Sequence, residues 1–257
     1  MSDPVADIAQ ALATGAARII DLTHTLDPDF PVIVLPPEFG QCARFRMEEV
    51  SAYDHRGPAW KWHNLTLNEH TGTHFDAPIH WVSGKDVPNG AVDAIDPSVF
   101  VGPVVVIDCS EGAAQNDDFE LTSEVIEAWE AEHGLIPRDA WVLMRTDWSK
   151  RSGADYLNMR EDGPHSPGPD PAAVALLLKR GIRGFGTETV GTDAGQGSHY
   201  VPPYPAHYLL HGAGKFGLQC LRNLDQLPAT GAVLIAPPLK IKGGTGSPLR
   251  VLAMVMS

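Results

Sequence analysis

The sequence predicts an α/β fold in which helices interrupt one large sheet. Strand-like runs rich in β-branched and aromatic residues alternate with two capped helical segments, and this alternation is typical of α/β proteins. Of the 257 residues, 43% are hydrophobic, which suffices for a sizeable core. No internal repeat, low-complexity tract or Gly/Pro-rich linker divides the chain. We therefore predict a single domain over residues 1–257 with an N-terminal arm.

The predicted strands are short apolar runs bounded by polar residues, Gly or Pro. They cover residues 17–22, 101–108, 140–146, 183–187, 232–235 and 249–256. Their number indicates a large sheet.

The two predicted helices have recognisable ends. Thr122 can cap a helix that continues to about His133, where Gly134 stops it. The second helix begins at Asp170–Pro171 with a capping carboxylate and a proline in the first turn, and it ends before Gly181.

A third, shorter helix is predicted to begin at Pro205, and it places His207 and His211 one turn apart on the same face. The proline-rich stretch 27–37 shows no periodicity. We interpret it as a surface arm or lid that can pack on another subunit.

The charge of the chain excludes two classes of partner. A formal net charge of −13 repels phosphate backbones and anionic lipids, so we expect neither nucleic acid nor a membrane surface as a partner. No apolar run reaches the length of a membrane-spanning helix. Residues 1–15 contain two aspartates and lack both a basic start and an apolar centre, so no signal peptide is predicted.

The cysteines favour a reducing compartment. Cys42, Cys109 and Cys220 are odd in number and far apart in sequence, so a disulfide framework is not expected. We expect a cytoplasmic protein, with an exported protein whose signal has been removed as the alternative.

A metal-site composition occurs between His70 and His80. His70, His74, Asp76 and His80 fall within eleven residues around Gly72. Imidazole nitrogen and carboxylate oxygen are suitable ligands for Zn or Mn, and no cysteine lies near enough to form a thiolate site. The alternative interpretation is a set of polar residues scattered on a turn.

The spacing of these groups requires a bend. In an extended chain His70 and His74 would lie about 13 Å apart. A helix would bring them together but would turn Asp76 away, and Thr, Gly and Pro in the segment oppose a helix. A bend at Gly72 avoids both problems, because glycine adopts backbone angles that fold His70 back toward His74 and Asp76.

The segment reads His-x-Gly-Thr-His-x-Asp-x-Pro-x-His and resembles the signature of the metal-dependent cyclase and kynurenine formamidase superfamily. The resemblance to this superfamily extends to Asp21-Leu22-Thr23 with Leu26 and to residues 238–248, so it covers nearly the whole chain. It implies a swivelling β/β/α domain that forms a homodimer or a higher homo-oligomer. It also implies that His70, His74 and Asp76 bind the catalytic metal, with His80 as the base or proton shuttle.

One position departs from the pattern of the two-metal formamidases in this superfamily. Those proteins have a further histidine followed twelve positions later by a glutamate, and here His207 is followed by Gln219. A neutral amide binds a second divalent ion much less well than a carboxylate. We therefore predict one ion per chain, Mn or alternatively Zn. Gln219 would bind it through the amide oxygen or a water, or would simply be a buried hydrogen-bonding residue.

This departure resembles the isatin hydrolase branch of the superfamily, and aromatic residues near the motif agree with a flat aromatic substrate. Such rings can stack on the substrate, although ordinary core packing is the alternative for each tryptophan. The predicted substrate-binding residues are Phe39, Trp60, Trp62, Trp81, His207 and His211.

The resulting functional hypothesis is a metal-dependent amidohydrolase that opens a small aromatic cyclic amide, isatin first, by attack of water. The nearest alternative is an arylformamidase acting on N-formylkynurenine. A non-haem iron oxygenase is a remote alternative, because His74, Asp76 and a distal His211 imitate its facial triad. A non-enzymatic metal-binding protein is the remaining one.

Overall fold

The computed structural model describes residues 3–257, and these contain five α-helices and one π-helix. The α-helices are α1 (Pro4–Thr14), α2 (Ser110–Gln115), α3 (Ser123–His133), α4 (Gly153–Leu157) and α5 (Pro171–Arg180). The π-helix covers Ala206–His211. Short 3₁₀ turns occur at Pro78–His80, Val82–Gly84, Pro97–Phe100, Trp148–Lys150, Gly197–His199 and Leu224–Gln226.

Nine strands form the main sheet, and the other six pair in three small two-stranded sheets. The strands of the first half are β1 (Ala17–Asp21), β2 (Arg46–Asp54), β3 (Gly57–Thr66), β4 (His74–Asp76), β5 (Val101–Asp108), β6 (Glu120–Leu121) and β7 (Trp141–Arg145). Those of the second half are β8 (Met159–Arg160), β9 (Gly163–Pro164), β10 (Gly168–Pro169), β11 (Gly184–Thr187), β12 (Phe216–Gln219), β13 (Ala232–Ile235), β14 (Gly246–Pro248) and β15 (Leu252–Met256).

The main sheet has the order β1-β15-β13-β5-β7-β11-β12-β4-β14. Its centre, β5-β7-β11-β12, is parallel, whereas both ends are antiparallel. A parallel centre needs crossover connections, and α3 and α5 lie within two of these. The predicted α/β class is confirmed.

The two faces of the sheet are covered differently. On one face Val105 and Ile107 of β5 pack with α3 and α5 through residues such as Trp129 and Leu177. On the other face the apolar cluster includes side chains from both ends of the sheet, among them Phe75 of β4 and Val255 of β15. The sheet therefore curls around this second cluster, which agrees with the β/β/α arrangement.

All six predicted strands are present, with ends shifted by at most a few residues. Both predicted helices are also present. Gly134 and Gly181 lie at their C-terminal ends, and the Asp170 side chain accepts the Ala173 N–H at 2.6 Å. Thr122 occupies the N-cap position of α3, but its side chain accepts no hydrogen bond there.

Three features differ from or extend the prediction. Helix α1 and the β2–β3 hairpin were not predicted as such, and the short helix after Pro205 has π geometry. Residues 27–37 contain no helix or strand, as expected for an arm. The predicted domain also includes Met1 and Ser2, which lie outside the described residues. No helix within residues 3–257 is long and apolar enough to cross a membrane.

The small hairpin β8–β9 is held by His165, which predicts a pH-dependent contribution to stability. The imidazole lies 2.9 Å from Asp162 and 2.7 Å from Asp118, and the hydrogen bonds to these two carboxylates raise the pKa of His165 above its ordinary value. A pKa raised by folding stabilises the folded state fully below the unfolded value of about 6.5, and this stabilisation is lost as the pH rises through the folded value.

We therefore expect the melting-temperature advantage of the native protein over His165→Gln to be largest near pH 5.5 and to shrink by pH 8.5. Thermal unfolding of both proteins across this range measures it. A melting-temperature advantage that does not change with pH would contradict the raised pKa of His165.

Candidate metal centre

Strand β4 brings the histidine-rich motif into the sheet, and all three of its residues are buried. It pairs with β12 on one side and β14 on the other. The preceding loop turns back at Gly72, whose φ is +66°, a left-handed conformation that glycine adopts easily. This bend places His70 Nδ1 2.8 Å and His74 Nε2 3.4 Å from Asp76 Oδ1. The predicted bend is confirmed.

The proton on His70 can be assigned from its second nitrogen. Thr245 donates its hydroxyl proton to Glu69 at 2.6 Å, so the Thr245 oxygen accepts from His70 Nε2 at 3.0 Å. His70 therefore carries its proton on Nε2. Its Nδ1 presents a lone pair to Asp76.

The proton on His74 is fixed in a similar way. His74 Nδ1 lies 2.7 Å from the carbonyl oxygen of Gly72, which can only accept, so Nε2 presents its lone pair to Asp76. Two nitrogen lone pairs and a carboxylate oxygen thus face one another, with ligand atoms within 4.8 Å. Such acceptors repel unless a cation lies among them. The donor set fits a divalent ion such as Zn or Mn.

The charges of the cluster agree with a metal site. Burial opposes ionisation of Asp76, but its electrostatic interactions with the nearby imidazoles of His74, His80 and His70 hold the pKa of Asp76 well below its usual range. Burial lowers the pKa of His74 to about 4, against the attraction of Asp76. At neutral pH Asp76 is ionised and His74 is neutral, as metal ligation requires.

Glycines on the flanking strands leave room for these side chains. A Cβ atom on Gly246 of β14 would lie 2.5 Å from His70 Cε1, and one on Gly217 of β12 would lie 3.1 Å from Asp76 Oδ2. Larger residues at either position would displace a candidate ligand.

A second group of possible ligands consists of Asp76, His207 and His211, again with ligand atoms within 4.8 Å. Asp193 accepts the His207 Nδ1 proton at 2.5 Å and the Ala206 N–H at 2.5 Å, so one buried carboxylate orients the ring and caps the π-helix. Burial would lower the pKa of His207, but the hydrogen bond and charge of Asp193 raise it.

His211 lies one turn further along the π-helix. Its Nδ1 donates to the Lys215 carbonyl at 3.0 Å. Burial, together with His207 nearby, lowers the pKa of His211 to about 4, so its ring is neutral at neutral pH.

Gln219 lies between the two groups. Its amide nitrogen contacts Asp76 Oδ2 and lies 3.3 Å from His207 Nε2. A carboxylate oxygen only accepts, so the amide donates to Asp76 here. The structure therefore brings Gln219 to the site, while metal binding by its amide oxygen stays a prediction.

His80 and Trp81 lie on the open side of the cluster. The His80 ring centroid is 3.9 Å from that of His70 and 5.7 Å from that of His207. Burial lowers the pKa of His80 to about 3, against the attraction of Asp76, so the ring is neutral at neutral pH. Trp81 packs on His207 at 4.7 Å and on Tyr204 at 5.8 Å, which forms an aromatic wall.

Comparison with known proteins identifies the family. A family model described as "Putative cyclase" matches residues 20–194, more than half of the chain. The chain belongs to this cyclase family.

Three relatives show which members of the family this chain resembles. An isatin hydrolase of Roseibium aggregatum is 51% identical, and the alignment covers 95% of this chain and 94% of the relative. The structure of isatin hydrolase A from Labrenzia aggregata, bound to benzyl benzoate, is 80% identical with a TM-score of 0.98, covering 99% and 100% of the two chains. A kynurenine formamidase of Polaromonas naphthalenivorans is 28% identical over the full length of both proteins.

The predicted aromatic residues do not all lie at the cluster. Trp81 contacts it directly. Trp60 and Trp62 lie on β3 and form an edge-to-face pair at 6.1 Å, but both are exposed on the hairpin. Phe39 is exposed in the arm. Their role in substrate binding stays a prediction.

The iron-oxygenase pattern does not describe this cyclase-family site. That pattern required His211 to join His74 and Asp76, whereas His70 completes the group around His74, and His211 groups with Asp76 and His207 instead.

Sequence reasoning missed Glu69, Thr245 and Asp193, which set the proton positions on the histidines. Asp193 lies 14 residues before His207, and Thr245 lies 175 residues after His70. Neither spacing belongs to a local motif, so only the fold brings these residues together.

Proposed function

We propose that this chain is a metal-dependent amidohydrolase that opens the cyclic amide of isatin to isatinate, with His70, His74 and Asp76 as metal ligands. The observation that carries the proposal is the convergence of two histidine lone pairs on the buried Asp76 carboxylate, in a chain 51% identical to an isatin hydrolase. A divalent ion at this position supplies Lewis-acid polarisation of the amide carbonyl and acidification of water.

His80 is the proton carrier in this proposal. It is a neutral histidine at the edge of the cluster, with its ring centroid 3.9 Å from that of His70. It takes the proton of the attacking water and returns one to the departing nitrogen. No covalent enzyme intermediate is needed.

We propose one ion per chain, Mn first and Zn as the alternative. The amide nitrogen of Gln219 contacts both Asp76 and His207, so its protons occupy the acceptor atoms that a second cation would need. The absence of a negative charge at Gln219 also leaves repulsion between two cations uncompensated.

Gln219→Glu should increase the affinity for a second ion and alter isatin hydrolysis. A carboxylate offers negative charge and two acceptor oxygens beside His207, where the amide now donates. Titration with Mn or Zn followed by metal counting measures the change, with Gln226→Glu as a control for the added charge. Two tightly bound ions in the native protein would contradict the mononuclear proposal.

Parallel assays of the metal-loaded protein with isatin and N-formylkynurenine test the substrate. We expect the specificity constant for isatin to be the higher one. The similarity to a kynurenine formamidase supports arylformamidase as the second candidate. A higher specificity constant for N-formylkynurenine would instead identify the protein as an arylformamidase.

We further propose a single domain that forms a homodimer or higher homo-oligomer in the cytoplasm. Exposed apolar side chains on α1 and on the β2–β3 hairpin support self-association, among them Val5, Ile8, Trp60 and Trp62. The three cysteines are free, which agrees with a reducing compartment.

A further inference from the structure

His211 has a buried ring nitrogen with no role in the proposed metal binding or proton transfer. The residue is 1% exposed and lies on the π-helix, with a ring centroid 5.5 Å from that of His207 and 6.1 Å from that of His80. Its Nε2 atom has no hydrogen-bond partner among residues 3–257. A buried polar atom without a partner is costly, and in a native site it calls for an explanation.

The backbone determines what this nitrogen can bind. Because His211 Nδ1 donates to the Lys215 carbonyl oxygen at 3.0 Å, its proton lies on Nδ1 and Nε2 carries the lone pair. Nε2 is therefore an acceptor. It can pair with an N–H or O–H group or with a cation.

A neutral donor fits better than a cation. Asp76 Oδ1 belongs to the first group, and Asp76 Oδ2 and His207 Nε2 already lie against the amide nitrogen of Gln219, whereas His211 Nε2 has no partner among residues 3–257. One neutral imidazole is a poor site for a divalent ion by itself. The unmet requirement is one hydrogen-bond donor for His211 Nε2.

We propose that His211 Nε2 accepts a hydrogen bond from the ring N–H of the cyclic amide and thereby selects substrates with an unsubstituted amide nitrogen. This rests on the proposed function. In an amide the nitrogen that carries the hydrogen is bonded directly to the carbonyl carbon. A carbonyl held at His70, His74 and Asp76 therefore places this N–H beside the second group, to which His211 belongs.

The hydrogen bond also orients the departing nitrogen. Water oxygen bonds to the carbonyl carbon, the C–N bond breaks, and the nitrogen receives the proton that His80 took from the water. With its own N–H held by His211, the nitrogen directs its developing lone pair away from that ring. The second proton of the water is released to solvent, so the product carries a carboxylate and an amino group, and one N–H of that amino group remains on His211.

Kinetics with isatin and N-methylisatin test the proposal, using the native protein and His211→Phe. The substrate change removes the donor, and the protein change removes the acceptor while keeping a ring of similar bulk. The ratio of specificity constants, isatin over N-methylisatin, should fall about 10- to 100-fold from native to variant. Its control, Tyr208→Phe on the exposed part of the same helix, should keep the native ratio.

Metal content and His211→Gln complete the test. His211→Phe should retain the native metal content, and loss of metal would instead make His211 a ligand and overturn the proposal. His211→Gln offers an amide oxygen as acceptor and should restore part of the ratio, which a merely structural role would not do. The native protein alone also tests the proposal, even if His211→Phe does not fold. A native ratio of specificity constants, isatin over N-methylisatin, near one would overturn it.

The two proposals fail separately. A native protein that hydrolyses isatin with a ratio unchanged in His211→Phe overturns the role of His211 alone. A metal-loaded native protein that does not hydrolyse isatin overturns both.

Discussion

Asp76→Ala should remove the metal and reduce isatin turnover at least about a thousandfold while the fold persists. Asp76 Oδ1 is the atom on which His70 and His74 converge, so its loss removes both a ligand and the negative charge of the site. Lewis-acid stabilisation of a transition state is worth several kcal/mol, and each 1.4 kcal/mol corresponds to a factor of about ten.

Elemental analysis and turnover should fall together in Asp76→Ala. The neighbouring apolar cluster lies on the other side of β4, through Phe75, so we expect native-like circular dichroism. Asp86→Ala is a matched control because its carboxylate is on the surface, paired with Lys85. Full metal content in Asp76→Ala would remove Asp76 from the ligand set.

His80→Ala should differ from Asp76→Ala in keeping its metal, while turnover falls about 10²- to 10⁴-fold, the usual contribution of a positioned acid or base. His80 stacks on His70 at 3.9 Å but makes no hydrogen bond to Asp76 within the described chain. Removal of the ring should therefore leave His70, His74 and Asp76 in place.

Measuring metal content together with turnover shows whether His80 is a metal ligand or the proton carrier. The exposed His199 provides a control, and His199→Ala should resemble the native protein in both measurements. Metal loss in His80→Ala equal to that of Asp76→Ala would show that His80 is a ligand rather than the proton carrier.

The part of the site that is local in sequence could be predicted from the sequence. His70, His74 and Asp76 lie within seven residues, and the only missing element was a bend, for which Gly72 is the obvious position. The strands and helices were predictable for a similar reason, since each depends on its own apolar pattern and end residues. The family resemblance is confirmed by the match to residues 20–194.

The remainder depends on contacts between distant segments. Asp193 orients His207 only because the fold brings its carboxylate to the first residues of the π-helix, and no spacing rule encodes this. The π geometry of that helix, which has wider turns than an α-helix, likewise has no signal in the residue pattern after Pro205. The β2–β3 hairpin and α1 were missed although Asp3, Pro4 and Gly15 are typical helix-end residues. Neither element buries a regular apolar face.

The position of β14 has a consequence for how the protein matures. Thr245, which sets the proton on His70, immediately precedes β14 and is 175 residues away in sequence. A ribosome adding about 5 to 20 residues per second would therefore release the histidine loop roughly 10 to 35 s before its last support. During that interval the loop has its ligands but lacks the contact that fixes the tautomer exposing His70 Nδ1. We therefore expect tight metal affinity to arise late, and a nascent chain should gain it only after its C-terminal strands have docked.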